Sequence, residues 1–194
     1  WYTDVPTMHQ AILSRAPRNI ETIKNNPLKF IRSSSAFLPS IVMKNLEQTF
    51  NTCVIESYGM TEATHQMTSN PLPPSIRKSG SVGLAAGPEV ALLCKGKIIN
   101  NDQNNRNIPG QIIIKGENVT KGYINNPKAN IESFLDGWFL TGDEGTFDKD
   151  GYLKITGRLK EIINRGGEKI SPQEIDEILM DHESIQQAVA FSVP

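Results

Sequence analysis

Residues 53–62 read CVIESYGMTE. Cys53, Val54 and Ile55 form a short apolar run with β-branched residues, the pattern of a strand buried on both faces of a parallel sheet. The run passes without a linker into Tyr58-Gly59-Met60-Thr61-Glu62. Upstream, Val42, Leu46 and Phe50 recur every four residues and give a helix one apolar stripe. Before that, LKFIRS (28–33) is a second buried-strand candidate, and Pro6 can open a helix through TMHQAILSR (7–15). Strand, helix, strand predicts part of a doubly wound α/β sheet. Ligands of such sheets bind at the carboxyl ends of the strands, where SSSA (33–36) and YGMTE (58–62) both fall.

Downstream the character changes. SNPLPPSIRKSG (69–80) reads as loop, and from Val82 to Thr156 the signals are short strands and turns. VALLC (90–94) and GQIIIKG (110–116) are strands, with NNDQNNRN (100–107) looping between them. Asn126-Pro127 caps and starts a brief helix. EGTF (144–147) and YLKIT (152–156) flank DKDG, in which Asp150-Gly151 is a hairpin signal. The expectation is a compact antiparallel, barrel-like β subdomain. SPQEIDEILMDH (171–182) changes the pattern again, with Ser171 as N-cap, Pro172 at the first helical position and Glu174 completing a capping box. Ile175, Ile178 and Leu179 line one face of that helix, and QAVAFSV (187–193) reads as a following strand. The fold class is therefore α/β: a partial doubly wound sheet over 1–74, a β-rich subdomain over 75–157, and the start of a small α+β domain over 158–194.

The 194 residues carry a formal net charge of -1 and no long basic run, which argues against nucleic acid as a partner. Two cysteines, Cys53 and Cys94, give no disulfide framework and favour a reducing compartment. No apolar run approaches the roughly 20 residues of a membrane span. The chain starts WYTDVP, without an initiator methionine, and stops in AFSVP, a strand in progress, so it reads as a fragment cut at both ends.

Three segments carry chemistry. In YGMTE, Tyr58 offers a flat face for a purine, and Gly59 permits close backbone approach or positive φ. Thr61 offers a hydroxyl to a phosphate oxygen, and Glu62 a hard oxygen ligand for Mg²⁺. In GWFLTGDEG (137–145), Asp143 can accept two hydrogen bonds from a ribose diol. In GRLKEIINRGGEKISP (157–172), Arg158 presents a fork of donors, and Gly166-Gly167 a surface without side chains. Each has a bland counterpart: a structural turn, a turn-capping aspartate, a basic linker.

Their order is decisive. Together with GQIIIKGENVTKGY (110–123), they resemble the ordered signature motifs of the acyl-adenylating superfamily: acyl-CoA synthetases, luciferases and peptide-synthetase adenylation domains. The resemblance extends over nearly the whole chain. It is nearest to the acyl-CoA synthetase branch that includes oxalate–CoA ligases, through WYTDVPT, SSSA, MTEATHQMTSNPLP, NVTKGYINNP and NRGGEKISP. It implies an ATP-dependent ligase that makes an acyl-AMP and passes the acyl group to coenzyme A. Tyr58 would then stack adenine against the backbone of Ser35 and Ala36. Thr61 would contact the α-phosphate, Glu62 would bind magnesium, and Asp143 with Arg158 would hold the ribose. Lys160 aligns with a hinge, and Gly166 and Gly167 with the pantetheine route. Three positions depart from the pattern: Phe37 stands at a common proline, Ser57 at a common glycine, and Asn164 where several relatives have lysine.

His65, just after TEA, suits a short acid with a second carboxylate, so oxalate is the expected acid, with Ser33 as a further contact. His9 and His182 are expected to be structural, His182 at a helix C-terminus. The family's phosphate loop should precede Trp1 and its α-phosphate lysine should follow Pro194, so the chain alone is expected to be inactive. An adenylation domain feeding a carrier protein and a non-catalytic nucleotide-binding module are the competing readings. Relatives occur in cytosol and peroxisome, so either compartment fits.

Overall fold

The computed structural model describes residues 1–101, 106–166, 168–180, 182, 184–185 and 187–193. In chain order the elements are β1 (Tyr2–Asp4), α1 (Pro6–Arg15), α2 (Ile20–Asn25), β2 (Ile31–Ser33), α3 (Ser40–Phe50), β3 (Val54–Tyr58), β4 (Thr68–Ser69) and β5 (Leu84–Ala85). There follow β6 (Glu89–Cys94), β7 (Lys97–Ile99), β8 (Gly110–Lys115), α4 (Pro127–Ser133), β9 (Phe134–Leu135), β10 (Trp138–Phe147) and β11 (Leu153–Arg158). The chain closes with β12 (Ile163–Arg165), β13 (Glu168–Ile170) and α5 (Pro172–Met180).

The first sheet runs β1-β2-β3-β4-β5. β1, β2 and β3 are parallel, in the register Tyr2↔Ile31 and Ile31↔Val54, with helical crossovers between them. α3 covers this sheet because Val42 and Leu46 of the expected stripe, joined by Met43, meet Ile31, Leu38 and Val54, with Phe50 partly buried against the same cluster. Ile31, Leu46 and Val54 are each fully buried, a stabilisation of about 1.5–3 kcal/mol per side chain. α3 ends at Asn51 in the left-handed region, φ 46°. The second sheet runs β11-β10-β8-β6-β7, with β9 paired to β10, and every pairing in it is antiparallel.

What joins the sheets also builds the site. The end of β3 and the turn after it contribute Tyr58, Ala63 and Met67 to one core with Leu92, Ile112, Ile114, Phe139, Phe147 and Leu153. Residues 81–83 strap the sheets together. Val82 N donates to Leu153 O (2.9 Å), and Leu153 N to Gly83 O (2.8 Å). The buried Asn70 amide donates to Ser81 O (2.5 Å), and Thr68 Oγ1 to Val82 O (2.7 Å).

Several local expectations hold in detail. Asn126 Oδ1 accepts from Ala129 N (3.1 Å) with Pro127 opening α4. Three differ. LKFIRS forms a strand only over Ile31–Ser33. The hairpin expected at Asp150-Gly151 forms, with Phe147 paired to Leu153, but through the longer loop 148–152, in which Asp148 Oδ1 accepts from Asp150 N and Tyr152 N (2.8 and 2.9 Å) and Gly151 takes φ 85°. Residues 187–193 form no strand. Val189, Phe191 and Val193 are 73–75% exposed and pair with nothing among the described residues, and a strand exists only through a ladder partner.

Candidate adenylate site

A cleft of about 390 Å³ opens where the carboxyl ends of β2 and β3 face β10 and β11. Ser33, Ser35 and Ala36 line it from the β2 end, and Tyr58 and Gly59 from the β3 end. Asp143 and Arg158 line the opposite side, and Glu161, Pro172 and Gln173 contribute from beyond β11.

Asp143 is placed by a local irregularity. The β10–β8 register shifts between Leu140 and Glu144, and the β10–β11 register between Glu144 and Gly145. Gly142 at φ 80° makes the break possible. Thr141 Oγ1 repairs the ladder by donating to Ile112 O (2.7 Å) and accepting from Asp143 N (3.1 Å). Asp143 is thereby held in the cleft at 6% exposure. Its two oxygens accept from Arg158 Nε (2.9 Å) and from the Tyr58 hydroxyl (2.5 Å). Arg158 stands opposite Asp143 in the β10–β11 register, which is why their 15-residue separation closes. Burial and the Asp143 charge push the Tyr58 phenol far above its ordinary range, so it stays protonated and remains a donor.

Gly59 resolves one of two alternatives. Its φ is not positive; the need is for space. An added Cβ would lie 2.3 Å from both the carbonyl carbon and oxygen of His65. The chain turns back on itself here, with Thr64 and His65 both left-handed (φ 51° and 58°) and His65 N donating to Met60 O (2.9 Å). Asn118 Nδ2 clamps the turn through Ala63 O (3.0 Å) and Gln66 O (2.9 Å).

Thr61 and His65 are exposed on this turn, outside the cleft lining. Glu62 Oε1 accepts from the Tyr123 hydroxyl (2.9 Å), and no basic side chain pairs with that carboxylate among the described residues. No group of three or more His, Cys, Asp or Glu stands ready for a metal among the described residues. Lys160 is exposed in the turn after β11. Gly166, at φ 62° in the β12–β13 turn, meets nothing within 4 Å of an added Cβ, and its backbone conformation is a sufficient reason for glycine. Gly167 lies outside the described residues.

Ser35 holds φ 70°, an unusual conformation for a side-chain-bearing residue. Ser33 is 2% exposed and its hydroxyl has no hydrogen-bond partner among the described residues. A group left this way costs about 1–3 kcal/mol, which a polar ligand atom would relieve. Two cleft features escaped the sequence reading. One is the Tyr58–Asp143 bond. The other is Glu56, 5% exposed, whose carboxyl is pushed up to about 7 by burial. The Gly80 N–H (3.1 Å) partly offsets that, and the charge of Glu177 adds to it. An acid inside an apolar strand run was the available signal. His9 is buried beside the Tyr2 ring, and desolvation lowers its pKa.

Residues 1–124 match the family model described as AMP-binding enzyme. The chain belongs to the AMP-binding enzyme family. The whole chain is 54% identical to oxalate–CoA ligase from Arabidopsis thaliana and covers 37% of it. It is 48% identical over its full length to oxalate–CoA ligase from Saccharomyces cerevisiae, covering 35% of that protein. Among solved structures, ATP-bound MatB from Rhodopseudomonas palustris superposes on 99% of the chain with a TM-score of 0.87 at 32% identity, the match covering 37% of MatB. The chain thus spans a little over a third of the length of the relatives it matches. The matches to these relatives cover Asp143 and Arg158 as well, which lie beyond the family-model match. No described helix is long and apolar enough to cross a membrane.

Proposed function

We propose that this chain carries the adenylate cleft of an ATP-dependent carboxylate–CoA ligase acting on a small dicarboxylate such as oxalate. The observation that carries the reading is Asp143, a buried carboxylate gripped by Tyr58 and Arg158 at the meeting of two sheets. A ribose diol seated there would donate to the remaining lone pairs of that carboxylate. Tyr58 would face the adenine from one side, with Ser35 and Ala36 on the other. Thr61 would donate to the α-phosphate. Glu62 would hold Mg²⁺, which supplies charge neutralisation at the phosphates.

In the first half-reaction a carboxylate oxygen of the acid attacks the α-phosphorus, and the bond to pyrophosphate breaks. In the second, the coenzyme A thiolate attacks the acyl carbon and AMP leaves. Residues 158–194 would be the start of the pivoting part, with Lys160 at the hinge and Gly166 and Gly167 along the thiol's approach. His65 and Ser33 would serve the acid. The named activities of the two plant and yeast relatives support oxalate as that acid.

The test is a substrate panel on the full-length enzyme: oxalate, malonate, acetate, a medium-chain fatty acid and coumarate, read as CoA-dependent AMP release. Oxalate is expected to give the highest kcat/KM. No acid-dependent AMP release would overturn the reading, and a preference for the fatty acid or coumarate would overturn its substrate half.

A further inference from the structure

Arg32 lies on β2, one residue before the cleft-lining Ser33. Its side chain reaches the turn that carries His65. Nη1 donates to Thr3 Oγ1 (3.3 Å) and Ser34 Oγ (3.4 Å), and Nη2 to Gln66 Oε1 (3.3 Å) and His65 O (3.5 Å). All four acceptors are neutral, and all four bonds are long beside the roughly 2.7–2.9 Å of a charge-assisted pair. No carboxylate pairs with Arg32 among the described residues, whereas Arg77 pairs with Glu47 and Arg158 with Asp143. Burial alone lowers its pKa, with no acidic neighbour opposing the shift. The group is nonetheless reachable, because its bonds to Thr3 and to the His65 carbonyl lie at exposed positions. A guanidinium held in place by weak neutral partners, partly desolvated and lacking an anion, is preorganised for one.

We propose that Arg32 is a specificity residue that anchors the distal carboxylate of the dicarboxylate acid, where its guanidinium meets Ser34 and the 64–66 turn, one residue along β2 from the cleft-lining Ser33. This rests on the functional reading above and deepens it: His65 alone favours a second anionic group, and Arg32 supplies the fixed charge. The planar fork would take the carboxylate through two donors, exchanging its long bonds for charge-assisted ones. A monocarboxylate would leave the guanidinium as it stands here.

The experiment compares wild-type, Arg32→Gln and Arg32→Lys full-length enzymes by steady-state kinetics with oxalate and ATP varied separately. In Arg32→Gln the oxalate KM is expected to rise about ten- to a hundredfold, the effect of losing a charged hydrogen bond, while the ATP KM stays within about twofold. Arg32→Lys keeps the charge without the fork and is expected to show a smaller rise in the oxalate KM alone; it also serves if the Gln variant is insoluble. An unchanged oxalate KM, or equal rises for oxalate and ATP, would mean that Arg32 only braces the turn, and would overturn the proposal. Failure of the wild-type enzyme to activate oxalate would remove the functional reading and this proposal together; an active wild type with an insensitive Arg32 would remove this proposal alone.

Discussion

Substituting alanine at Gly59 probes how the site is built more sharply than removing a ligand contact does. The new Cβ would begin 2.3 Å from the carbonyl carbon and oxygen of His65 and 2.9 Å from Gln66 N. Reaching an ordinary contact of 3.4 Å requires a displacement of about 1 Å. The obstructing atoms are all backbone, so no side chain can rotate aside. The turn is tied at both ends, by His65 N to Met60 O and Met67 N to Tyr58 O, and clamped by Asn118. Moving it breaks one or two of these bonds at about 1 kcal/mol each, within the roughly 1–3 kcal/mol typical of overpacking. Shifts of about 1 Å near reacting groups can cost on the order of a hundredfold in rate. Gly59→Ala in the full-length enzyme is therefore expected to lose about 1–3 kcal/mol in urea unfolding and to lower kcat/KM for the acid at least about tenfold. Wild-type stability with wild-type kinetics would refute the idea that Gly59 is there to let the His65 backbone pass.

Two further substitutions test the frame. Gly83→Ala combines φ 89° with a Cβ 2.0 Å from the Ser69 carbonyl carbon and is expected to abolish soluble expression; Gly80→Ala, with φ 75° but open space, is expected to cost only about 1–2 kcal/mol, and equal outcomes for the pair would contradict the strap between the sheets. Glu56, raised from 4.5 to about 7 by burial, binds a proton in the folded chain that the unfolded chain has already released. Stability should therefore fall as pH rises across that window, by about 3 kcal/mol in all, and Glu56→Gln should flatten the trend in urea titrations at pH 5 and 7.5; parallel trends would contradict the assignment.

The parts of the fold that were legible are those in which local pattern and tertiary environment agree. β3 and α3 could be read because β-branched and four-residue periodicities survive burial, and α4 because Asn126 and Pro127 act within one turn. β1, β4 and β5 are two or three residues long, too short for any period, and exist through the strands they pair with. The β12–β13 hairpin had a signal in Gly166-Gly167 between short β-forming runs, but the pair was read as a surface without side chains rather than as a turn. The separate segments YGMTE, TGD and GRLK could each be suspected, yet the bond joining Tyr58 to Asp143 spans 85 residues and depends on a bulge that no local periodicity announces. Arg32 was read only as part of a strand, because its lack of an acidic partner among the described residues is visible only in three dimensions.

One observation bears most directly on the whole scheme: a crystal structure of the full-length enzyme soaked with AMP. The ribose hydroxyls should lie within hydrogen-bonding distance of the Asp143 carboxylate, with the adenine between Tyr58 and the backbone of Ser35 and Ala36. AMP bound elsewhere, with Asp143 still engaged only by Tyr58 and Arg158, would show that this carboxylate is a structural strut and that the cleft serves another purpose.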